Sequence, residues 1–469
     1  MRIACVHIPQ LSLQCATRVD PSLRGAAVAV VGSGLATGRD RLGLPAALTT
    51  PVVLACSRAA WGLGVRVGMT ATTARALHPG ELRLVTAEPH LERETVRAIA
   101  EALLGASPTV DVGGRLGVGG AHLAMYAEVP AKTRGASFGE RVREVLEALG
   151  LVGRVGIADD RFTAWVAAAD GGSDAWEHAV VTVPRGGSAA FLSPRPLGLL
   201  SITPEVQHML EALGVRTLGQ FASLPAPTAG RRVDRQAGGD FQALARGESG
   251  SSLRPYAPEG SLREEIALEG PDAGLGGLSA IGTLAQRVAL RLAGRERLAG
   301  TLEVSALAAD GSGARERVLI VELDHATSDV EQLTAAIVAA VARAAPRDGD
   351  AAGGELAPGI ARAAAAIQRL RVVVSREALG SDAAAIASAS VRPVVLSVMD
   401  EPVTALSALS VVLSSTGTGD LFDHRWAHEA ARPAWDGRRE VHRRTRRGKQ
   451  RRRVLPTAVQ PRLFDRSSS

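Results

Sequence analysis

The side chains most suited to chemistry in this chain fall into a cationic run, a glycine-bearing hairpin and a short tail peptide. Arg438, Arg439, Arg443, Arg444, Arg446, Arg447, Lys449, Arg451, Arg452 and Arg453 share one stretch with a single acid, Glu440. The rest of the chain is slightly acidic, 44 Lys or Arg against 47 Asp or Glu, so the net charge of +6 comes from this arm. Either a solvated tail or a polyanion-binding arm has this composition, and DNA is the natural polyanion. The second feature is Leu213-Gly214-Val215-Arg216-Thr217-Leu218-Gly219. Glycines there let two helices pack closely while backbone N–H groups face a phosphate without reading a base; an ordinary packing corner has the same residues. The third is Gln460-Pro-Arg-Leu-Phe-Asp465, where Leu463 and Phe464 have no core to join in a polar tail. An apolar pair with a glutamine amide to orient it suits docking into a preformed pocket.

Most enzyme signatures are missing. The chain has neither Gly-x-x-x-x-Gly-Lys-Ser/Thr nor His-Glu-x-x-His, and Gly32-Ser-Gly-Leu-Ala-Thr-Gly38 lacks dinucleotide-loop spacing. No convincing Gly-x-Ser-x-Gly elbow occurs. Cys5, Cys15 and Cys56 form neither a zinc spacing nor a disulfide framework, which fits a reducing cytoplasm. No run approaches the 18 or so uncharged apolar residues of a membrane span, so export and membrane insertion are not expected. With 46% apolar and 22% charged residues the chain is not wholly disordered, and its 469 residues suit two to four domains. Aromatic residues are only 3%, too few for a surface of many base-stacking rings.

These groups need elements to position them. Arg2 to Ile8, Ala26 to Gly32 and Pro51 to Cys56 read as buried strands, followed by strands at Thr109 to Val112, Leu116 to Tyr126 and Arg154 to Ile157. Val96, Ile99, Ala100 and Leu103 recur at helical spacing, as do Val142, Val145, Leu146 and Leu149. The result is an α+β module over residues 1–195. A helical unit over 196–249 carries the glycine hairpin, and 250–260 reads as a linker. Residues 261–413 follow the order strand, helix, strand, strand, helix, strand. Asp310-Gly311 supplies a hairpin turn, and Ser328-x-x-Glu331 a capping box for a helix with the stripe Val330, Leu333, Ile337 and Val341. Pro346 to Gly359 reads as an insertion, and 414–469 as a basic flexible tail.

Several of these patterns together resemble the Y-family translesion DNA polymerases. Ala55-Cys-Ser-Arg-Ala-Ala-Trp-Gly-Leu-Gly-Val-Arg-Val-Gly-Met69 looks like their fingers segment, and Val155-Gly-Ile-Ala-Asp-Asp-Arg-Phe-Thr-Ala164 like a palm segment. With the glycine hairpin, Leu244-Ala-Arg-Gly247 and the βαββαβ unit, the resemblance covers roughly residues 1–410. It implies a right-hand architecture: palm over 1–195 with fingers inserted at about 33–85, a helical thumb, a little finger and a basic tail. The tail peptide is similar to the Gln-x-x-Leu-Phe motif that docks on the bacterial sliding clamp.

The family's chemistry implies two Mg²⁺ ions on palm carboxylates, since a hard cation requires oxygen ligands. Its Asp-x-Asp segment corresponds to Val6-His7-Ile8-Pro9, with no acid before Asp20, and its Asp-Glu pair to Gly119 and Gly120. Between Asp111 and Glu128 there is no acid at all, and a shift of a few positions finds none. His7 reads as a core or surface histidine. The fingers positions that meet a triphosphate match Arg58 and Trp61. Arg161 keeps a basic residue at a phosphate-facing place, and Ser12 replaces the ring that faces the sugar. The chain is therefore similar to the catalytically inactive ImuB type. That implies no catalytic residues, metal or cofactor, and an adaptor in damage-induced mutagenesis and translesion synthesis. Its implied partners are DNA, the sliding clamp, an error-prone C-family polymerase and a RecA-like accessory protein, in the bacterial cytoplasm at the nucleoid. An extension of about 55 residues after the little finger is short for that partner set. A working polymerase with ligands moved, for instance to Asp111, and a stand-alone DNA-binding protein without clamp contact remain open.

Overall fold

The computed structural model describes residues 1–33, 51–77, 80–116, 122–170, 177–200, 202–225, 241–250, 252–268, 273–310, 313–344 and 367–380. The cationic arm, the tail peptide, Gly119, Gly120, Gly311, residues 34–38 of the first glycine cluster and the Pro346–Gly359 insertion lie outside them. The class is α+β, as expected.

The first sheet has the order β5-β6-β1-β7-β8: β1 (Arg2–Ile8), β5 (Val110–Leu116), β6 (His122–Val129), β7 (Arg154–Ala158) and β8 (Ala179–Thr182). Strand β1 is central and antiparallel to both β6 and β7, and it is apolar on both faces because both are covered. Ala4, Val6 and Ile8 pack on helices α4 (Pro89–Leu104) and α5 (Gly135–Ala148); Ile3 and Cys5 face α6 (Arg161–Asp170). The expected apolar stripe of α4 is buried there, as are Val142, Leu146 and, just past the end of α5, Leu149, while Val145 is half-buried. Leu116 closes β5 rather than opening the next strand. Gly113 takes φ 66° at a register shift between Asp111 and Gly114, so the chain bulges and β5 runs on to Leu116. Helix α1 (Leu11–Val19), which the sequence reading missed, bridges to a smaller sheet of order β3-β2-β4: β2 (Val28–Ser33), β3 (Pro51–Cys56) and β4 (Arg83–Thr86). Helices α2 (Arg58–Gly62) and α3 (Ala71–Leu77) belong to this lobe.

Beyond the short helix α7 (Ser188–Leu192), helices α8 (Pro204–Ala212) and α9 (Leu218–Ala222) flank the glycine hairpin. The 252–260 stretch is no free linker. Tyr256 N–H donates to Val110 O at 2.7 Å, and Arg254 N–H donates to the Asp111 carboxylate, which ties it along the β5 edge.

The third sheet, order β11-β10-β12-β9, is built from β9 (Leu262–Ala267), β10 (Arg297–Asp310), β11 (Gly313–Thr327) and β12 (Ile367–Leu379). It is covered on one face by α10 (Ala273–Arg295) and α11 (Val330–Ala344), in the expected βαββαβ order. Two details differ from the sequence reading. Asp329, not Ser328, caps α11, because its carboxylate accepts the Gln332 N–H and its own N–H donates to Thr327 Oγ1. Leu333, Ile337 and Val341 are buried, but Val330 in the first turn lies beyond the sheet and is exposed.

Helices α4 and α10 cross closely because Gly294 has no side chain: a Cβ there would fall 1.7 Å from Glu101 O. Around this crossing Arg291 donates to Glu101 at 2.6 Å and to Glu264 at 2.9 Å, Arg18 holds both oxygens of Glu264, and Arg295 joins Glu101 to Glu377. Burial pushes the Glu264 carboxyl up, but Arg18, Arg291 and Arg287 outweigh it and hold it below the usual carboxylate range. Arg287, buried and close to Arg18, is lowered to about 9.

Candidate nucleic-acid interface and the face at the end of β1

The place to look for a metal is the α6 side of the first sheet at the end of β1. Strand pairing aligns His7 with Ala124 on β6 and with Arg154 on β7, so alternation puts His7, His122 and Arg154 on one face. The two imidazole rings lie tilted, 5.4 Å between centres. His7 is buried, and burial, then His122 and Arg154, lowers it to about 3; burial also lowers His122. Both rings are therefore neutral near pH 7, and the Arg154 guanidinium is a fixed charge that acts on His7. Two neutral imidazoles and a cation do not fit Mg²⁺, which takes oxygen ligands and is repelled by the arginine. Among the described residues no group of three or more His, Cys, Asp or Glu could hold a metal. Burial also raises the Cys5 thiol on this face, which keeps it protonated and unreactive.

Asp111, which pairs with Tyr126 across the sheet, is already in use. One Asp111 oxygen accepts from Arg161 Nη1 at 2.8 Å and from the Arg254 N–H, and the other accepts the Gly113 N–H. The Arg161 guanidinium, at the start of α6, also lies 4.0 Å from the centre of the Tyr126 ring. The basic residue expected to face a phosphate is thus turned inward. Ser12 likewise points away from this face, donating to the Glu92 carboxylate at the start of α4. Glycine has one clear task here: a Cβ at Gly156 would fall 2.1 Å from Ala164 O, so α6 can lie directly on β7.

In the hairpin between α8 and α9, Gly214 takes φ 85° and Thr217 forms a capping box with Gln220. The sequence reading placed open N–H groups here, and the geometry differs. Gly214 donates to Glu211 O, Val215 to Leu210 O, Leu218 to Arg195 O and Gly219 to Ser193 O. The Gln220 amide oxygen accepts from both Arg216 and Thr217. A phosphate at this turn must displace the Gln220 amide or use the exposed Arg216 side chain. Val215 is buried and packs rather than contacts. Gly219 is required, because a Cβ would fall 2.1 Å from Ser193 Oγ.

In the small lobe Arg58 and Trp61 sit on α2, capped by Ser57, whose Oγ accepts the Ala60 N–H. Both are exposed. The sequence reading did not foresee Arg66 stacking on Trp61; its spacing of five residues across a Gly-x-Gly turn was the available signal.

Comparison with known proteins places these features. Residues 7–169 match the family described as impB/mucB/samB. The chain is 27% identical over 339 residues to DNA polymerase IV 2 of Mesorhizobium japonicum, covering 70% of this chain and 74% of that one. It is 28% identical over 177 residues to DNA polymerase IV of Dehalococcoides mccartyi, covering 37% of this chain and 43% of the relative. A third relative, DNA polymerase IV of Desulfatibacillum aliphaticivorans, is 27% identical over 257 residues, with 53% and 58% covered. The chain thus spans from under half to about three quarters of these relatives. Among solved structures, DinB from Sulfolobus solfataricus aligns at 14% identity and TM-score 0.43, over 80% of this chain and 98% of that one. An insertion ternary complex of Dbh DNA polymerase aligns at 14% and 0.45, over 81% and 100%. The part of the chain that carries the small lobe and most of the first sheet, residues 7–169, is thus similar to the impB/mucB/samB family, and the relatives matched along the chain bear the name DNA polymerase IV.

Proposed function

We propose that this chain is a non-catalytic, polymerase-like adaptor of the ImuB type in DNA-damage-induced mutagenesis and translesion synthesis. It binds DNA without reading sequence, docks on the sliding clamp, and recruits an error-prone C-family polymerase with a RecA-like accessory protein, in the cytoplasm at the nucleoid. The observation that supports this reading is the end of β1, where the resemblance expects metal-binding carboxylates and where His7 shares its face with His122 and Arg154 instead. A working polymerase is favoured by the name DNA polymerase IV that the relatives bear. It requires oxygen ligands from Asp111, whose carboxylate is held by Arg161 and two backbone N–H groups.

DNA is held by Arg216 at the thumb hairpin, with Gly214, Val215, Thr217 and Gly219 shaping the turn, and by the arm from Arg438 to Arg453. Gln460, Leu463 and Phe464 enter the clamp pocket. Burying the last two contributes about 1.5–3 kcal/mol each before ordering costs, so one peptide binds modestly. A flexible arm beside it couples clamp and DNA through effective concentration. The test is clamp binding by the purified chain and by Leu463→Ala/Phe464→Ala. Loss in the double variant supports the adaptor; equal binding, or none by either protein, removes the clamp and leaves a DNA-binding protein. Deleting residues 438–453 is expected to flatten the salt dependence of DNA affinity, and an unchanged slope takes the arm out of the interface.

A further inference from the structure

The small lobe carries a large aromatic side chain that it leaves well exposed. Trp61 keeps 43% of its surface exposed. The Arg66 guanidinium lies 3.8 Å from the centre of its ring. Arg66 is itself fixed, since Nη1 donates to Trp61 O at 2.7 Å and to Val65 O at 2.9 Å. The cation is therefore held against the indole by the turn that follows α2. A tryptophan that served only to pin this turn would gain by covering its large apolar surface, and here a large share of that surface stays in water.

Two further observations bear on what the ring is for. Gly62, Gly64 and Gly68 surround it in sequence, and a Cβ at any of them would meet nothing within 4 Å, so this rim leaves open space. Gly64 and Gly68 take φ of +89° and +90°, which favours glycine and keeps side chains off the turn. The lobe is also cationic: residues 51–77 and 80–86 hold Arg58, Arg66, Arg75 and Arg83 against one acid, Glu81. Arg58, Arg75 and Arg83 are exposed.

We propose that Trp61 is a stacking platform for an unpaired base of single-stranded DNA, with Arg58, Arg66 and Arg75 meeting the adjoining phosphates. An indole carries no charge to hold a triphosphate, whereas its π face accepts any base without reading it, and an arginine at the ring strengthens the contact. Bases inside a duplex are already stacked, so the occupant is a gap or a single-stranded template. This inference deepens the DNA-binding part of the preceding reading and rests on it.

The test uses the full chain and fluorescence anisotropy of a labelled dT oligonucleotide, a duplex of equal length and a strand of abasic sites. Trp61→Ala is expected to weaken dT binding about 5- to 100-fold, with duplex and abasic binding unchanged. Trp61→Phe is expected to restore most of the loss, and thermal melting checks that both variants fold. The slope of log affinity against log salt stays the same in Trp61→Ala, because stacking releases no counterions, and falls in Arg58→Ala. If the wild-type chain binds dT and Trp61→Ala binds it equally well, or if Trp61→Phe is as weak as Trp61→Ala, the platform is refuted and the DNA-binding reading stands. If the wild-type chain binds none of the three, that reading fails as well.

Discussion

The two faces of the first sheet use charge in opposite ways. On the α6 face, where this fold's relatives are named polymerases, the end of β1 presents two neutral imidazoles and a guanidinium, and Asp111 is locked to Arg161. On the other face, the α4–α10 crossing gathers Glu101 and Glu264 with Arg18, Arg291 and Arg295, all buried. Buried carboxylates are thus spent on holding two parts of the chain together rather than on presenting oxygens to a cation. Such pairs add little net stability against an apolar core, but they demand complete partnering, so they fix one arrangement.

The comparison breaks most visibly at the crossing. Arg291→Ala leaves Glu101 and Glu264 buried without their main partner and is expected to cost about 3–5 kcal/mol in denaturant unfolding. Arg291→Lys, which cannot fork to two carboxylates, should recover only part of it. Next is a pH effect from the other face. The His7 pKa in the fold is about 3, below the roughly 6.5 of an unfolded histidine. The unfolded chain therefore takes up the proton first, and stability is full above about pH 6.5 and falls toward pH 3. The slope is about 1.4 kcal/mol per pH unit for one such group. His7→Gln should flatten it in unfolding curves between pH 5 and 6.5. Glu264 acts only lower, since its depressed pKa keeps its contribution until the pH falls below the ordinary carboxylate range. The smallest effect is expected at the hairpin between α8 and α9, where Thr217→Ala removes the α9 cap at a cost of about 1 kcal/mol, read as a small shift in midpoint.

Much of the scaffold was legible because it rests on periodicity. Strand β1 is a short apolar run interrupted only by His7 after Arg2, α4 and α5 carry clear stripes, and the βαββαβ order follows from alternation in β10 and a helical stripe in α11. The shortage of acids around β1 and before β6 was readable directly, since it needs no alignment exact to the residue. What the sequence hid was pairing. Nothing in the spacing of Asp111, Arg161 and Arg254 says that they meet, since 50 residues separate Asp111 from Arg161 and 143 separate it from Arg254. The Gln220 amide over Arg216 and Thr217 was hidden for a different reason. A glycine hairpin fixes the path of the backbone, and side-chain geometry then decides which N–H groups stay open.

The central proposal, that the end of β1 holds no catalytic metal, is tested most directly by primer extension with the pure chain in Mg²⁺, beside Asp111→Ala. The account predicts no extension above background by either protein. Mg²⁺-dependent extension by the wild-type chain that disappears in Asp111→Ala would contradict it and place the ligands on the carboxylate that Arg161 now holds.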